Sequence, residues 1–109
     1  DVYPDGRSIN ITEGVLRGRF RQRRWDRPEP LTPGAVLEWE IHLQPTAHVF
    51  RAGHRVRLDI TSSNFPLWDR NLNTGGEPHV ETRWQIAEQT VHHGPAHPSR
   101  LILPVIPRP

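Results

Sequence analysis

Apolar and polar residues alternate with a period of two along two well-separated stretches of the chain. Alternate side chains of an extended strand point to opposite sides, so this pattern predicts strands with one buried and one exposed face. In the first stretch, residues 35–43, the apolar side is Leu37, Trp39, Ile41 and Leu43, and the polar side is Glu38, Glu40 and His42. In the second, the apolar side is Val56, Leu58 and Ile60, and the polar side is Arg55, Arg57 and Asp59.

Three further segments are strand candidates. Residues 15–21 alternate Leu16, Gly18 and Phe20 with Arg17, Arg19 and Arg21. Residues 81–93 and 99–106 are also rich in β-forming side chains, although Pro104 restricts the last segment to an edge or bulged strand. No segment has a sustained helical period with caps, so the chain is predicted to be all-β.

Glycine and proline residues between the strand candidates predict turns and loops. Turns are predicted at Pro4-Asp5-Gly6, at Gly14 as a turn or bulge, at Gly53 and within residues 94–98. Residues 26–34, with three prolines, are predicted to be a loop, and residues 64–80 a long loop. Five or six short strands indicate a sandwich, but a complete sandwich has seven or more, so the chain is expected to be part of a larger fold.

Composition restricts the functional classes. The 109 residues suffice for one domain, and the mean hydropathy of −0.68 indicates a thin core. There is neither an apolar run of about 20 residues nor a signal-like start, so no membrane association is expected and no compartment is assigned. Cysteine is absent, and all 14 positive residues are arginine against 12 carboxylates, a balance that points to no particular partner.

Histidines are the first candidates for chemistry. His92, His93 and His97 cluster in "HHGPAHP", and His48 and His54 flank a turn in "TAHVFRAGHRVRL". These five side chains are candidate metal ligands or bases, but no HExxH or HxH pattern is present to hold two of them on one element. The alternative is a structural role in hydrogen bonding and packing, which we favour. No metal or cofactor site is expected.

The sequence gives little support for a catalytic serine or for a catalytic pair of carboxylates. The chain has no GxSxG elbow, although Ser62, Ser63 and Ser99, with Asp59 and Asp69, leave a cryptic triad open. Glu38 and Glu40 are a conceivable pair for glycoside hydrolysis, but both lie on the predicted exposed side of one strand. No catalytic residue is therefore assigned.

Residues 17–27, "RGRFRQRRWDR", contain six arginines interleaved with Phe20 and Trp25. Such a segment can neutralise phosphates and stack bases. The alternative is an arginine-rich strand face paired with carboxylates of neighbouring strands, and the balanced overall charge favours it. No nucleic-acid partner is expected.

The order of several motifs resembles one protein family. The Asp-Gly-Arg-Ser turn, "FRAGHRVRL", "SSNFP", "DRN" with "NTG", and the closing "HPSRLILPVI" are similar to the C-terminal non-catalytic domain of X-prolyl dipeptidyl peptidase and cocaine esterase-like hydrolases, which include glutaryl acylases and α-amino-acid ester hydrolases. The resemblance covers residues 1–106. It implies a jelly-roll-like, galactose-binding-like β-sandwich, of which residues 1–109 would be the latter half.

The same resemblance implies an accessory function. In that family a separate α/β-hydrolase domain carries the catalytic serine, aspartate and histidine, and none of its catalytic motifs maps onto this chain. The parent protein would be a serine hydrolase acting on ester, amide or X-Pro peptide bonds, with this chain supporting its α/β-hydrolase domain. The long loop at residues 64–80, with Phe65 and Trp68, is the candidate contact, and a homo-oligomer of the parent is left open.

A binding module of another class is the alternative. Trp25, Trp39, Trp68 or Trp84 could stack on sugar rings in a stand-alone carbohydrate- or ligand-binding sandwich. Trp39 belongs to the predicted inward side and is the poorest platform.

Overall fold

The computed structural model describes residues 1–107, most of which lie outside regular secondary structure and include several turns. Regular structure within these residues consists of one 3₁₀ helix, Gly18–Phe20, and two isolated antiparallel bridges, Val2 with Ser8 and Val2 with Arg55. The radius of gyration is 17.0 Å, against about 13 Å for a compact domain of this length. Longer ladders are not formed in this part of the chain, and the jelly-roll-like β-sandwich stays a prediction.

The N-terminal turn forms as the sequence predicts. The Gly6 N–H donates to the Tyr3 carbonyl at 2.9 Å, and the Tyr3 N–H donates to the Arg7 carbonyl at 2.8 Å. Gly6 has a φ of 90°, a conformation that a residue with a Cβ rarely adopts. The turn at Pro4-Asp5-Gly6 is therefore confirmed, and it folds the chain back so that Ser8 pairs with Val2.

A second turn brings a distant segment to the same place. The His54 N–H donates to the Arg51 carbonyl at 3.0 Å, and Gly53 has a φ of 81°, which confirms the predicted turn. Directly after it, Arg55 and Val2 exchange both backbone hydrogen bonds at 2.9 Å. Val2 thus joins the N-terminal turn to the segment that follows the Gly53 turn.

Gly14 marks a close approach of two backbones. The Gln44 N–H donates to the Glu13 carbonyl at 3.0 Å, and the Thr12 hydroxyl donates to the Gln44 carbonyl at 2.7 Å. A Cβ at Gly14 would collide with the carbonyl of His42. The absence of a side chain at Gly14 therefore lets residues 12–14 lie beside residues 42–44.

The strand predicted for residues 15–21 is wrong at Gly18–Phe20, where the backbone forms the 3₁₀ helix. The Phe20 N–H bonds to the Arg17 carbonyl and the Arg21 N–H to the Gly18 carbonyl, at 2.8 and 3.1 Å. Gly18 is buried against the side chains of Leu31 and Trp39, which leave no room for a Cβ. Glycine there permits a tight turn that the period-two pattern does not reveal.

The predicted polar sides contain two close side-chain pairs. Side chains two residues apart interact in the pairs Glu40–His42, at 2.5 Å, and Arg57–Asp59, at 2.8 Å. Arg7 and Asp5 make a contact of the same spacing within the N-terminal turn, so these pairs leave the strand assignment a prediction.

The apolar sides of the same two stretches are not covered. Leu37, Trp39, Ile41, Val56, Leu58 and Ile60 are each between 38% and 57% exposed, and no hydrophobic residue among 1–107 is buried. The buried inward face thus stays a prediction.

Candidate functional site

An aspartate carboxylate enclosed by two histidines is the most buried polar cluster of the described residues. The Asp1 side chain is 2% exposed, and its Oδ2 lies 3.0 Å from Nε2 of His48. Nδ1 of His54 lies 3.0 Å from both carboxylate oxygens. We call Asp1, His48 and His54 the Asp1 cluster.

Backbone pairing positions the carboxylate. The Asp1 amino group donates to the Ile9 carbonyl at 2.9 Å, and the Ile9 N–H donates back to the Asp1 carbonyl at 3.0 Å. The adjacent pairing of Val2 with Arg55 brings His54 alongside. The two hydrogen bonds between Asp1 and Ile9 and the two between Val2 and Arg55 explain why Asp1 reaches a turn about 50 residues away.

Aromatic contacts hold both imidazole rings. The His54 ring lies 4.3 Å from the Tyr3 ring, centroid to centroid, and the His48 ring meets Phe50 edge-on at 4.9 Å. His54 is 10% exposed at its side chain and His48 is 28% exposed. Each ring is therefore in contact with an aromatic neighbour and is also hydrogen bonded at one nitrogen.

The Asp1 cluster has the chemistry of a hydrogen-bonded clamp. An ionised carboxylate only accepts hydrogen bonds, so Nδ1 of His54 and Nε2 of His48 carry the protons that face Asp1. No serine or threonine hydroxyl within residues 1–107 hydrogen bonds to either ring. Nor do those residues contain a group of three or more histidine, cysteine or carboxylate side chains arranged to hold a metal ion. What the geometry shows is that both rings hydrogen bond to the buried Asp1 carboxylate.

The other candidate residues lie elsewhere and in separate pairs. The His92 and His97 rings approach to 5.3 Å, and the Ser99 hydroxyl donates to the backbone carbonyl of His92. Asp59 accepts from Arg57. Neither Ser99 nor Asp59 hydrogen bonds to a histidine ring, so the structure does not bring these residues together as a triad.

The arginines of residues 17–27 are used largely within the chain. Four of them donate to backbone carbonyls: Arg17 to Asp69, Arg19 to Gly76, Arg21 to Gly18 and Glu29, and Arg23 to Glu40. The Arg19 contact, at 2.7 Å, and one Arg21 contact, at 2.6 Å, are short, and they tie this segment to the long loop and to the proline-rich loop. The partners are mainly backbone carbonyls of loops, and not the carboxylates of neighbouring strands that the sequence analysis expected.

The long loop borders an open groove of about 480 Å³. Arg70 lies over the Phe65 ring at 4.6 Å from its centroid. The Thr74 hydroxyl donates to Glu81, and this hydrogen bond, with a further one from Arg83, holds the pKa of the Glu81 carboxyl below its ordinary value. The groove is lined by Phe65, Asp69, Arg70, Leu72, Pro78, His79 and Glu81.

Sequence reasoning identified both histidines of the Asp1 cluster but missed their partner. Asp1 precedes a turn signal and belongs to no ligand or catalytic spacing, so no local signal marks it. A carboxylate directly before an apolar strand-like pair, Val2-Tyr3, is the one available hint that it faces inward.

Comparison with known proteins assigns the family. The family model of the X-Pro dipeptidyl-peptidase C-terminal non-catalytic domain matches residues 1–102. The chain belongs to this family. The resemblance seen in the motifs is thereby confirmed, and the Asp1 cluster, the turns and the long loop are features of an X-Pro dipeptidyl-peptidase C-terminal domain.

Individual relatives are esterases by name. The chain is 42% identical over 113 residues to a cocaine esterase of Rhodococcus sp. (strain MB1 Bresler), covering 99% of this chain and 19% of that protein. It is 32% identical to two proteins named as candidate serine esterases, from Mycobacterium bovis and Mycobacterium tuberculosis, covering 97% of this chain and 18% of each. The chain thus spans about a fifth of the length of these relatives. No solved structure matches it.

No helix of the described residues is long and apolar enough to cross a membrane.

Proposed function

We propose that this chain is the accessory, non-catalytic part of a serine hydrolase that acts on ester, amide or X-Pro peptide bonds. It would support an α/β-hydrolase domain of the same parent protein, as the latter part of a jelly-roll-like β-sandwich. The observation that carries the proposal is the family match over residues 1–102, together with 42% identity to a cocaine esterase along 99% of the chain.

The exposed apolar sides support a role inside a larger assembly. Side chains such as Trp39, Ile41 and Leu58 remain half-exposed in this chain, and burying apolar surface is the main favourable term in folding and association. A supporting domain needs such surface for its neighbours.

The long loop is the proposed contact with the catalytic domain. It presents apolar groups, Phe65, Leu67 and Trp68, beside the charged groups Arg70 and Asp69. Inter-domain interfaces mix apolar and polar groups in this way.

The proposal is tested by assaying the chain and its parent separately. The isolated 109-residue chain should hydrolyse no p-nitrophenyl ester above the buffer rate, whereas the polypeptide that contains it should do so with a serine nucleophile. Ester hydrolysis by the isolated chain, sensitive to a serine-directed inhibitor, would contradict the accessory function. A saturable tryptophan fluorescence response to sugars would instead favour the carbohydrate-binding alternative.

A further inference from the structure

The groove beside the long loop has two walls, which come from successive parts of the chain. Residues 64–70, which we call the first wall, contribute Phe65, Asp69 and Arg70 to its lining. Residues 72–85, which we call the second wall, contribute Leu72, Pro78, His79 and Glu81. The shape of the groove therefore depends on how each wall is held in place.

Internal hydrogen bonds give the second wall its shape. The Gln85 N–H donates to the Leu72 carbonyl at 2.9 Å and so joins the two ends of the wall. The Thr74 hydroxyl donates to Glu81 and accepts from the Gly76 N–H at 3.3 Å. Gly76 lies so close to the Glu81 carboxylate that a Cβ would collide with it. The position of the Gly76 carbonyl therefore depends on the folded shape of the whole wall.

A single side chain bonds the second wall to the earlier part of the chain. Nη2 of Arg19 donates to the Gly76 carbonyl at 2.7 Å, in a partly buried contact. Within residues 1–107 this is the one hydrogen bond between the second wall and residues 1–70. Since Arg19 meets this carbonyl only when the wall is folded, the contact stabilises the folded wall.

The first wall is bonded to the same short segment. Arg17, two residues before Arg19, donates to the Asp69 carbonyl at 3.3 Å. Between the two arginines Gly18 is buried, and the Glu29 N–H donates to the Arg19 carbonyl at 2.7 Å. These contacts hold the backbone that carries both guanidinium groups. The two walls of the groove therefore share one anchor.

We propose that Arg19 is a positioning residue, which holds the second wall in the place where it meets the α/β-hydrolase domain of the parent protein. The proposal rests on the proposed function, in which the long loop contacts that domain. The partner is a domain of the same protein, since the chain spans about a fifth of the relatives that it matches. A guanidinium suits this task because its hydrogen bond to a carbonyl is charge-assisted, and it keeps its charge at every physiological pH.

Replacing Arg19 by methionine keeps an unbranched apolar stem but removes the donors. In the parent protein, hydrogen exchange of residues 72–85 measured by mass spectrometry should become about tenfold faster in Arg19→Met, because a hydrogen bond from a charged group is lost. The Gln85 and Glu81 amides, which bond to carbonyls of the same wall, carry this signal. The melting temperature and the esterase activity of the parent should both fall.

Two further variants test whether the hydrogen bond is the cause. Arg19→Lys keeps a charged donor on a flexible stem, so its exchange and melting temperature should lie nearer to wild type than those of Arg19→Met. Arg24→Met removes an exposed arginine of the same segment and should behave as wild type. If Arg19→Lys or Arg24→Met has the full effect of Arg19→Met, the hydrogen bond to Gly76 is not the cause, and the proposal is overturned.

The exchange rates separate this proposal from the proposed function. Wild-type exchange in Arg19→Met overturns the positioning role and leaves the accessory function standing. Faster exchange with wild-type melting temperature and activity also overturns it, because the second wall then lies outside the interface. A parent without serine-dependent ester hydrolysis contradicts the proposed function instead. If Arg19→Met does not fold, Gly76→Ala decides, because it displaces the accepting carbonyl, and wild-type exchange in that variant overturns the proposal.

Discussion

Nδ1 of His54 lies 3.0 Å from both carboxylate oxygens of Asp1, although 53 positions separate the two residues in sequence. This contact joins the first residue of the family match to the "FRAGHRVRL" motif, and it gives the histidine of that motif a structural explanation.

Removing this imidazole should destabilise the chain. His54→Ala leaves the buried Asp1 carboxylate with fewer donors, which we expect to cost about 3 kcal/mol of the free energy of unfolding. Urea titration followed by tryptophan fluorescence measures the loss. His42→Ala, at an exposed histidine that also bonds a carboxylate, is the matched control and should leave the midpoint unchanged. Equal effects of both changes would refute the special role of His54.

Glu40 should titrate at a lower pH than an ordinary glutamate. The hydrogen bond from His42, the charge on that ring and the charge of Arg23 all lower the pKa of its carboxyl. The stabilisation from this pair is therefore present above the unfolded pKa of Glu40 and is lost as the pH falls through the folded one. NMR titration of the carboxyl carbon should show the pKa of Glu40 rising towards its ordinary value in His42→Ala.

Glu81 supplies the control within the same spectra. Its pKa is lowered chiefly by the hydroxyl of Thr74, so the change at His42 should leave it where it is. A shift of both carboxyls by the same amount would show that the variant acts through a general change of structure.

Substitution by alanine should affect the stability of the chain differently at two glycines. Gly14→Ala places a methyl group against the backbone carbonyl of His42, and we expect it to destabilise the chain by about 1–3 kcal/mol. Gly94→Ala meets no atom within 4 Å and should be neutral or stabilising by up to about 1 kcal/mol. Thermal unfolding of both variants tests whether residues 12–14 lie beside residues 42–44. An unchanged melting temperature in Gly14→Ala would argue against this close approach.

Trp68 tests the proposed contact with the catalytic domain. If the long loop packs on that domain, Trp68→Ala in the parent protein should lower its thermal stability and its esterase activity. Trp25→Ala, at an exposed tryptophan outside the loop, is the comparison. Unchanged stability and activity in Trp68→Ala would count heavily against this loop as the interface.

Local turn chemistry was the part of the structure that could be predicted from sequence. The turns at Gly6 and Gly53 follow from glycine's tolerance of positive φ, which acts within four residues. Gly18 misled the prediction because its alternation with arginines imitates a strand, while its burial against Trp39 depends on residues far along the chain.

The Asp1 cluster likewise depends on contacts between residues that are far apart in sequence. His48 and His54 are visible as a pair, but Asp1 becomes their partner only through the backbone pairing of Val2 with Arg55. Sequence spacing carries no record of such a pairing. The family motifs identified the domain, whereas the contact between its motifs required the structure.

The most direct test of the accessory function is the mass of the polypeptide that carries this chain in its native source. Intact mass spectrometry of the native particle and of its denatured polypeptides should find residues 1–109 joined to, or tightly bound by, a chain with a GxSxG serine hydrolase motif. A stable, monodisperse species of 12.6 kDa alone would contradict the account and favour an independent binding module.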